Sequence, residues 1–226
     1  MPQERQKHLA AAADTLLSVL AEAARDGRHV IQDLIGDTPF TQWTHYPAED
    51  VHDARSGALF FYHAHAPEDR DSDEHGHFHC FVERSKLTSA APPVAHPKAS
   101  EGGKQLCHLI AISIDRRGVP VELFTTNQWV TDEWLYPAEA VIPLIDDFVF
   151  SDADEMPLAS RWLSSFVALY QPIIAQLLRE RDTVLETGAN GNANRVEDRQ
   201  LEIPSRCTVD IDRQISDARQ GVSETV

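Results

Sequence analysis

The feature that most constrains this chain is a pair of alternating histidine rows. Phe60-Phe61-Tyr62-His63-Ala64-His65 is followed, across a polar stretch, by Glu74-His75-Gly76-His77-Phe78-His79-Cys80-Phe81. Residues two apart in a strand share a face, so His63 and His65 point one way, and His75, His77 and His79 share a face on the next strand. Residues 66–74 are polar and contain Pro67, as a hairpin loop should. Antiparallel pairing then lays the two rows side by side on one sheet face. Phe60, Tyr62, Phe78, Cys80 and Val82 fall on the other face as core.

The surrounding pattern supplies more strands and a cover for them. Leu106 to Asp115 and Val119 to Thr126 read as strands joined by an Arg116-Arg117-Gly118 turn, and Thr41 to His45 as an edge strand. Residues 86–104, with Pro92, Pro93, Pro97, Gly102 and Gly103, read as a long irregular loop. Leu9, Ala13, Leu16, Leu17, Leu20 and Ala24 recur at helical spacing over 4–26, with Gly27 as C-cap, and a short helix follows at 29–35. Thr131 or Asp132 caps a further short helix, and Pro137 starts another reaching about Phe148. Trp162, Phe166, Tyr170, Ile174 and Leu177 mark the stripe of a helical pattern over 157–186, which Pro172 kinks or divides. The expected fold is α+β: an antiparallel meander of four to five strands covered by N- and C-terminal helices. Residues 1–186 form one domain in this reading, and 187–226 a flexible linker and a partly disordered C-terminal segment. Helix 157–186 covers the sheet. Helix 4–26 packs on it or on a second copy, so monomer and homodimer both stay open.

Charge narrows the partners. The chain carries 20 Lys and Arg against 36 Asp and Glu, a net charge of −16, and has no basic run, so nucleic acid is not an expected partner. No apolar run reaches the length of a membrane span, and the charged N-terminus lacks a signal-peptide core. The expected compartment is cytoplasmic, with Cys80, Cys107 and Cys207 as reduced thiols and a small molecule as the expected substrate class.

Imidazole is the commonest transition-metal ligand. The metal site expected here has His63, His65, His77 and His79 at its centre, with His75, His108 and Glu74 in reserve. Zinc or iron leads, followed by copper and nickel. Three histidines and a water suit an enzyme that activates water or dioxygen, while a closed four-ligand site suits a non-enzymatic sensor or carrier. Glu74, Asn127 and Glu133 are the candidate catalytic residues. The last two follow a strand exit, Thr125-Thr126-Asn127-Gln128, whose polar groups beside Trp129 and Trp134 can line a pocket. Asp69, Asp71 and Asp73 have the spacing that opens a calcium loop, but Glu74 stands where Gly is needed and Cys80 where a bidentate Glu is needed, so a solvated turn is expected. Common nucleotide, P-loop, serine-hydrolase and zincin motifs are absent from the sequence.

Two resemblances accompany these readings. His75-Gly76-His77-Phe78-His79-Cys80-Phe81 resembles the signature of histidine-triad nucleotide hydrolases and transferases. That likeness implies a metal-free attack by histidine on phosphorus. Gly76 departs from the pattern, and the His63–His65 row has no place in it. Tyr62-His63-Ala64-His65, Glu74 to His79 and Leu123-Phe124-Thr125-Thr126-Asn127-Gln128-Trp129-Val130-Thr131, with Asp198 to Ile203, resemble an uncharacterised family of bacterial proteins over most of residues 40–206. That likeness implies one module and supplies no chemistry.

Overall fold

The computed structural model describes residues 2–69, 73–98, 105–151, 157–186 and 195–223. Six strands form one sheet in the order β1-β2-β3-β4-β5-β6: β1 (Tyr46–His52), β2 (Ala58–His63), β3 (Gly76–Glu83), β4 (Leu106–Ile114), β5 (Pro120–Thr125) and β6 (Ser205–Thr208). Every neighbouring pair is antiparallel. The helices are α1 (Pro2–Arg25), α2 (Val30–Ile35), α3 (Gln128–Thr131), α4 (Ala138–Val141), α5 (Pro157–Leu169), α6 (Gln171–Glu186) and α7 (Ile211–Ser223).

One sheet face is the core. Phe60, Tyr62, Phe78, Cys80, Ile110 and Ile112 are fully buried there. Trp162 of α5 stacks on Phe78 with ring centroids 5.8 Å apart, so the C-terminal helical pattern covers this face as expected. It divides into α5 and α6 beside Pro172, whose missing N–H cannot continue a helix. The Leu- and Ala-rich stripe of α1 packs against α5 and α7, tied by Arg161–Glu22 and Arg219–Asp14 ion pairs.

Four expectations change. The edge strand is Tyr46–His52 rather than 41–45, because Trp43 has a φ of 63°, which breaks extended backbone. The short helix after the fourth strand is Gln128–Thr131, with Asn127 as N-cap and Asp132 as its left-handed C-cap, so neither Thr131 nor Asp132 starts a helix. From Pro137 the helical stretch is only Ala138–Val141, followed by a 3-10 turn over Ile142–Ile145. Finally, the part of 187–226 that is described, 195–223, is structured: β6 adds a sixth strand beside β5 and α7 docks on α1. Ser205 bonds Thr125 and the Leu177 carbonyl, which is how a short polar segment is held in the sheet.

A bulge matters for the site. Cys80 pairs with Ile110 but Phe81 pairs with His108, so Leu109 is an extra residue on β4. Leu109 and Ile110 both enter the core, and His108 is turned to the histidine face. Unbroken alternation would have put it in the core.

Candidate metal centre

The second sheet face carries the histidines. His63 pairs with His77 across β2 and β3, and Phe61 pairs with His79. Their side chains therefore form a grid whose spacing the backbone fixes. His65 lies two residues past His63. Its loop is held by the Trp43 N–H donating to the Ala64 carbonyl, 2.9 Å, and by the Trp43 ring stacking on the His65 ring at 4.2 Å. Trp43 is 58% exposed, so this ring caps His65 from the solvent side.

Three ring nitrogens converge. Those of His63, His65 and His77 all lie within 4.8 Å of one another, and this is the set among the described residues that can hold one ion. Nε2 of His63 is 2.8 Å from Nε2 of His77. On its other side, Nδ1 of His77 is 2.8 Å from Glu74 Oε1, and the Ser113 hydroxyl donates to Glu74 Oε2 at 2.7 Å. A carboxylate only accepts, so the network assigns the His77 proton to Nδ1 and leaves a lone pair on Nε2. Burial pushes the Glu74 carboxyl up, but the bonds from His77 and Ser113 and the charges of His77 and His65 outweigh it and hold the group below its ordinary value. Burial, then the neighbouring His77, His65 and His45, push His63 down to about 2, so it stays neutral.

His79 is brought beside this set rather than into it. Its ring stands 4.8 Å from that of His77, while its Nδ1 is 3.0 Å from His108 Nε2. Both members of this pair are held neutral by burial. His79 lies well below its ordinary value, and His108 is pushed down to about 3 with Arg181 adding to the effect. His75 leaves the face altogether. Its Nδ1 is 2.7 Å from the Tyr62 hydroxyl and its ring packs on Phe40, on the core side. Extended pairing starts only at Gly76, so the strand alternation does not reach His75. The three histidines of the triad signature therefore do not gather on one face.

Gly76 is itself required here. A β-carbon at this position would collide with the His63 carbonyl oxygen and the Tyr62 hydroxyl. The close approach of β3 to the end of β2, which sets His77 against His63, needs the missing side chain.

The site opens on a cavity of about 1180 Å3 walled by both the histidine face and the β5 exit. Of the two catalytic candidates at the strand exit, Asn127 is engaged by backbone groups. Its amide N–H groups donate to the Arg195 and Leu201 carbonyls, and its Oδ1 accepts the Gln128 N–H. It fastens the C-terminal segment, whose Glu202 and Ile203 then form part of the cavity wall. Glu133 also lines the cavity and is 4% exposed, and its Oε2 has no hydrogen-bond partner among the described residues. Burial pushes its carboxyl up to about 8, against smaller downward pulls from Thr131 and Arg181. Thr126 lines the cavity as the strand-exit reading expects, whereas Ser113 and Trp43 were not anticipated. Ser113 was findable, because it alternates with Ala111 on the face opposite Ile112. The acidic turn holds Asp69 in a 3-10 turn at the cavity wall, and Asp71 lies outside the described residues.

Fold and site together define an α+β protein with a histidine-walled cavity on the free face of an antiparallel sheet. A family model described as a domain of unknown function, DUF6969, matches residues 10–209, and the chain belongs to that family. No curated protein and no solved structure matches the chain. Among the described residues no helix is long and apolar enough to cross a membrane.

Proposed function

We propose that the protein is a metal-dependent enzyme in which His63, His65 and His77 hold a divalent transition ion, zinc or iron in first place. The observation that carries this reading is the convergence of three ring nitrogens at the wall of a large cavity. The donor set fits. Three imidazole nitrogens suit zinc, iron, copper and nickel, burial keeps His63 unprotonated, and Glu74 orients His77 as a carboxylate behind a ligating histidine does. Three protein ligands leave a position open, whereas structural zinc is usually closed by four. An ion bound there supplies a nucleophilic water, or dioxygen chemistry if it is redox-active. The chain's own part is to fix the ligand tautomers, to shelter the site beneath Trp43, and to present substrate from the cavity. The carboxylates of Glu68, Asp69 and Glu122 on the cavity wall oppose a phosphate substrate, which weighs against the nucleotide alternative.

Metal analysis of untagged protein tests this reading. About one ion per chain is expected after purification, or after stripping and reconstitution with zinc or iron(II). Loss of that ion in the H63A/H77A double variant is expected as well. Traces of metal that do not rise on reconstitution would sink the proposal.

A further inference from the structure

The cavity lining holds polar groups that the metal reading does not use. Glu133 Oε2, Thr126 Oγ1 and Thr131 Oγ1 are all buried and without a hydrogen-bond partner among the described residues, and all three residues line the cavity. A buried polar group without a partner is costly, so three in one cavity lining mark a place where a ligand supplies N–H or O–H groups. The rest of the wall indicates the ligand's charge. Glu68, Asp69, Glu122, Asp132 and Glu202 also face this space, and the single arginine among the described lining residues, Arg206, lies 3.5 Å from Glu122. Phe61, Phe124 and Trp129 supply aromatic surface between them. A buried carboxyl beside aromatic rings, in a field of one sign, is an environment that recognises an organic ammonium, because the cation's charge draws the carboxyl into its ionised form.

We infer that the cavity binds a primary ammonium compound with an apolar body, its N–H groups donating to Glu133 and Thr126 and its body lying against the aromatic wall. The inference names the substrate class of the proposed enzyme. It rests on that reading only for the reaction, because the ammonium site contains none of the three metal ligands.

Binding is therefore measured on metal-stripped protein, so that it stands or falls apart from the metal site. The probes are 2-phenylethylammonium, its neutral counterpart 2-phenylethanol and the anion 3-phenylpropanoate, titrated calorimetrically at pH 7. The ammonium is expected to bind at least about tenfold more tightly than the alcohol, the size of one charge-assisted hydrogen bond, and the anion not to bind. E133Q, which keeps the shape of the side chain, should abolish the preference. T126V should weaken ammonium binding several-fold and decides the matter if E133Q does not fold. Equal or tighter binding of the alcohol, binding of the anion, no binding of any probe, or a preference that survives both variants would overturn the inference. Metal stoichiometry in E133Q should match the parent, so a failure of this site and a failure of the metal site read out separately.

Discussion

At the scale of single residues, Glu74 is the sharpest test of how the site is built. It coordinates nothing in the proposed centre and acts only by holding His77 through Nδ1. E74Q keeps the shape and a hydrogen bond but replaces an obligate acceptor with a group that can donate. We expect its metal affinity to fall about 10- to 100-fold, the usual cost of losing a carboxylate behind a ligating histidine, with the thermal midpoint of the metal-free protein nearly unchanged. Competition with a chromophoric chelator measures this. An unchanged affinity would mean that Glu74 does not set the His77 tautomer. The histidines of the candidate site were legible in the sequence because a strand's period of two leaves little choice: His63 and His77 sit where alternation puts them, and His65 continues the row past the end of β2. His79 has the same alternation and still forms a separate pair, because His108 reaches its Nδ1 from β4. Its placement depends on the bulge at Leu109, which no local sequence signal announced.

At the scale of elements, the β2–β3 hairpin carries the candidate site and Gly76 controls how closely it closes. In G76A, a methyl group would have to share space with the His63 carbonyl and the Tyr62 hydroxyl. The expected cost is roughly 1–3 kcal/mol, as for other overpacked sites. For a chain of this size that is a drop of about 2–4 °C per kcal/mol in thermal midpoint. Metal affinity should fall with it, because His77 shifts against His63. Thermal melts with and without zinc check both parts, and a variant as stable and as metal-competent as the parent would show that the approach is looser than described. The central strands, the α1 helix and the split of the long C-terminal helix were readable, since each rests on strong periodicity or on proline, whereas the partner of α1 stayed open between that helix and a second copy. β6 was not. Ser205-Arg206-Cys207-Thr208 has no hydrophobic alternation of its own and is recruited by pairing with Leu123 and Phe124 on β5 and by the Ser205 hydrogen bonds. Asn127 read as a catalytic candidate for a related reason: a buried amide at a strand exit has the same appearance in sequence whether it holds a ligand or, as here, the backbone of a distant segment.

At the scale of the whole molecule, the buried titratable groups give stability two opposing dependences on pH. His63, His79 and His108 are held neutral by burial, with His63 pushed down to about 2 and His108 to about 3. The unfolded chain protonates them near 6.5. Below that pH the unfolded state therefore binds more protons, and stability falls as the solution is acidified. Glu133 acts in the other direction. Unfolded, it loses its proton near the ordinary carboxyl value of 4.5; folded, it keeps it to about 8. Between those values the native state binds the extra proton, so this contribution to stability declines as pH rises and levels off above about 8. Three histidines outweigh one carboxyl on the acid side, and from 6.5 to 8 the carboxyl acts alone, which sets the maximum near pH 6.5. The net charge of −16 adds self-repulsion on the alkaline side, and that part is nearly the same in parent and E133Q. Subtracting their stabilities isolates the carboxyl. E133Q should match the parent at pH 4 and gain on it steadily to pH 8, reaching an advantage on the order of a few kcal/mol. Urea denaturation of the metal-free protein at several pH values measures the difference. A gap that stayed flat between pH 5 and 8 would mean that Glu133 is ionised in the folded cavity, with a partner that the described residues do not supply.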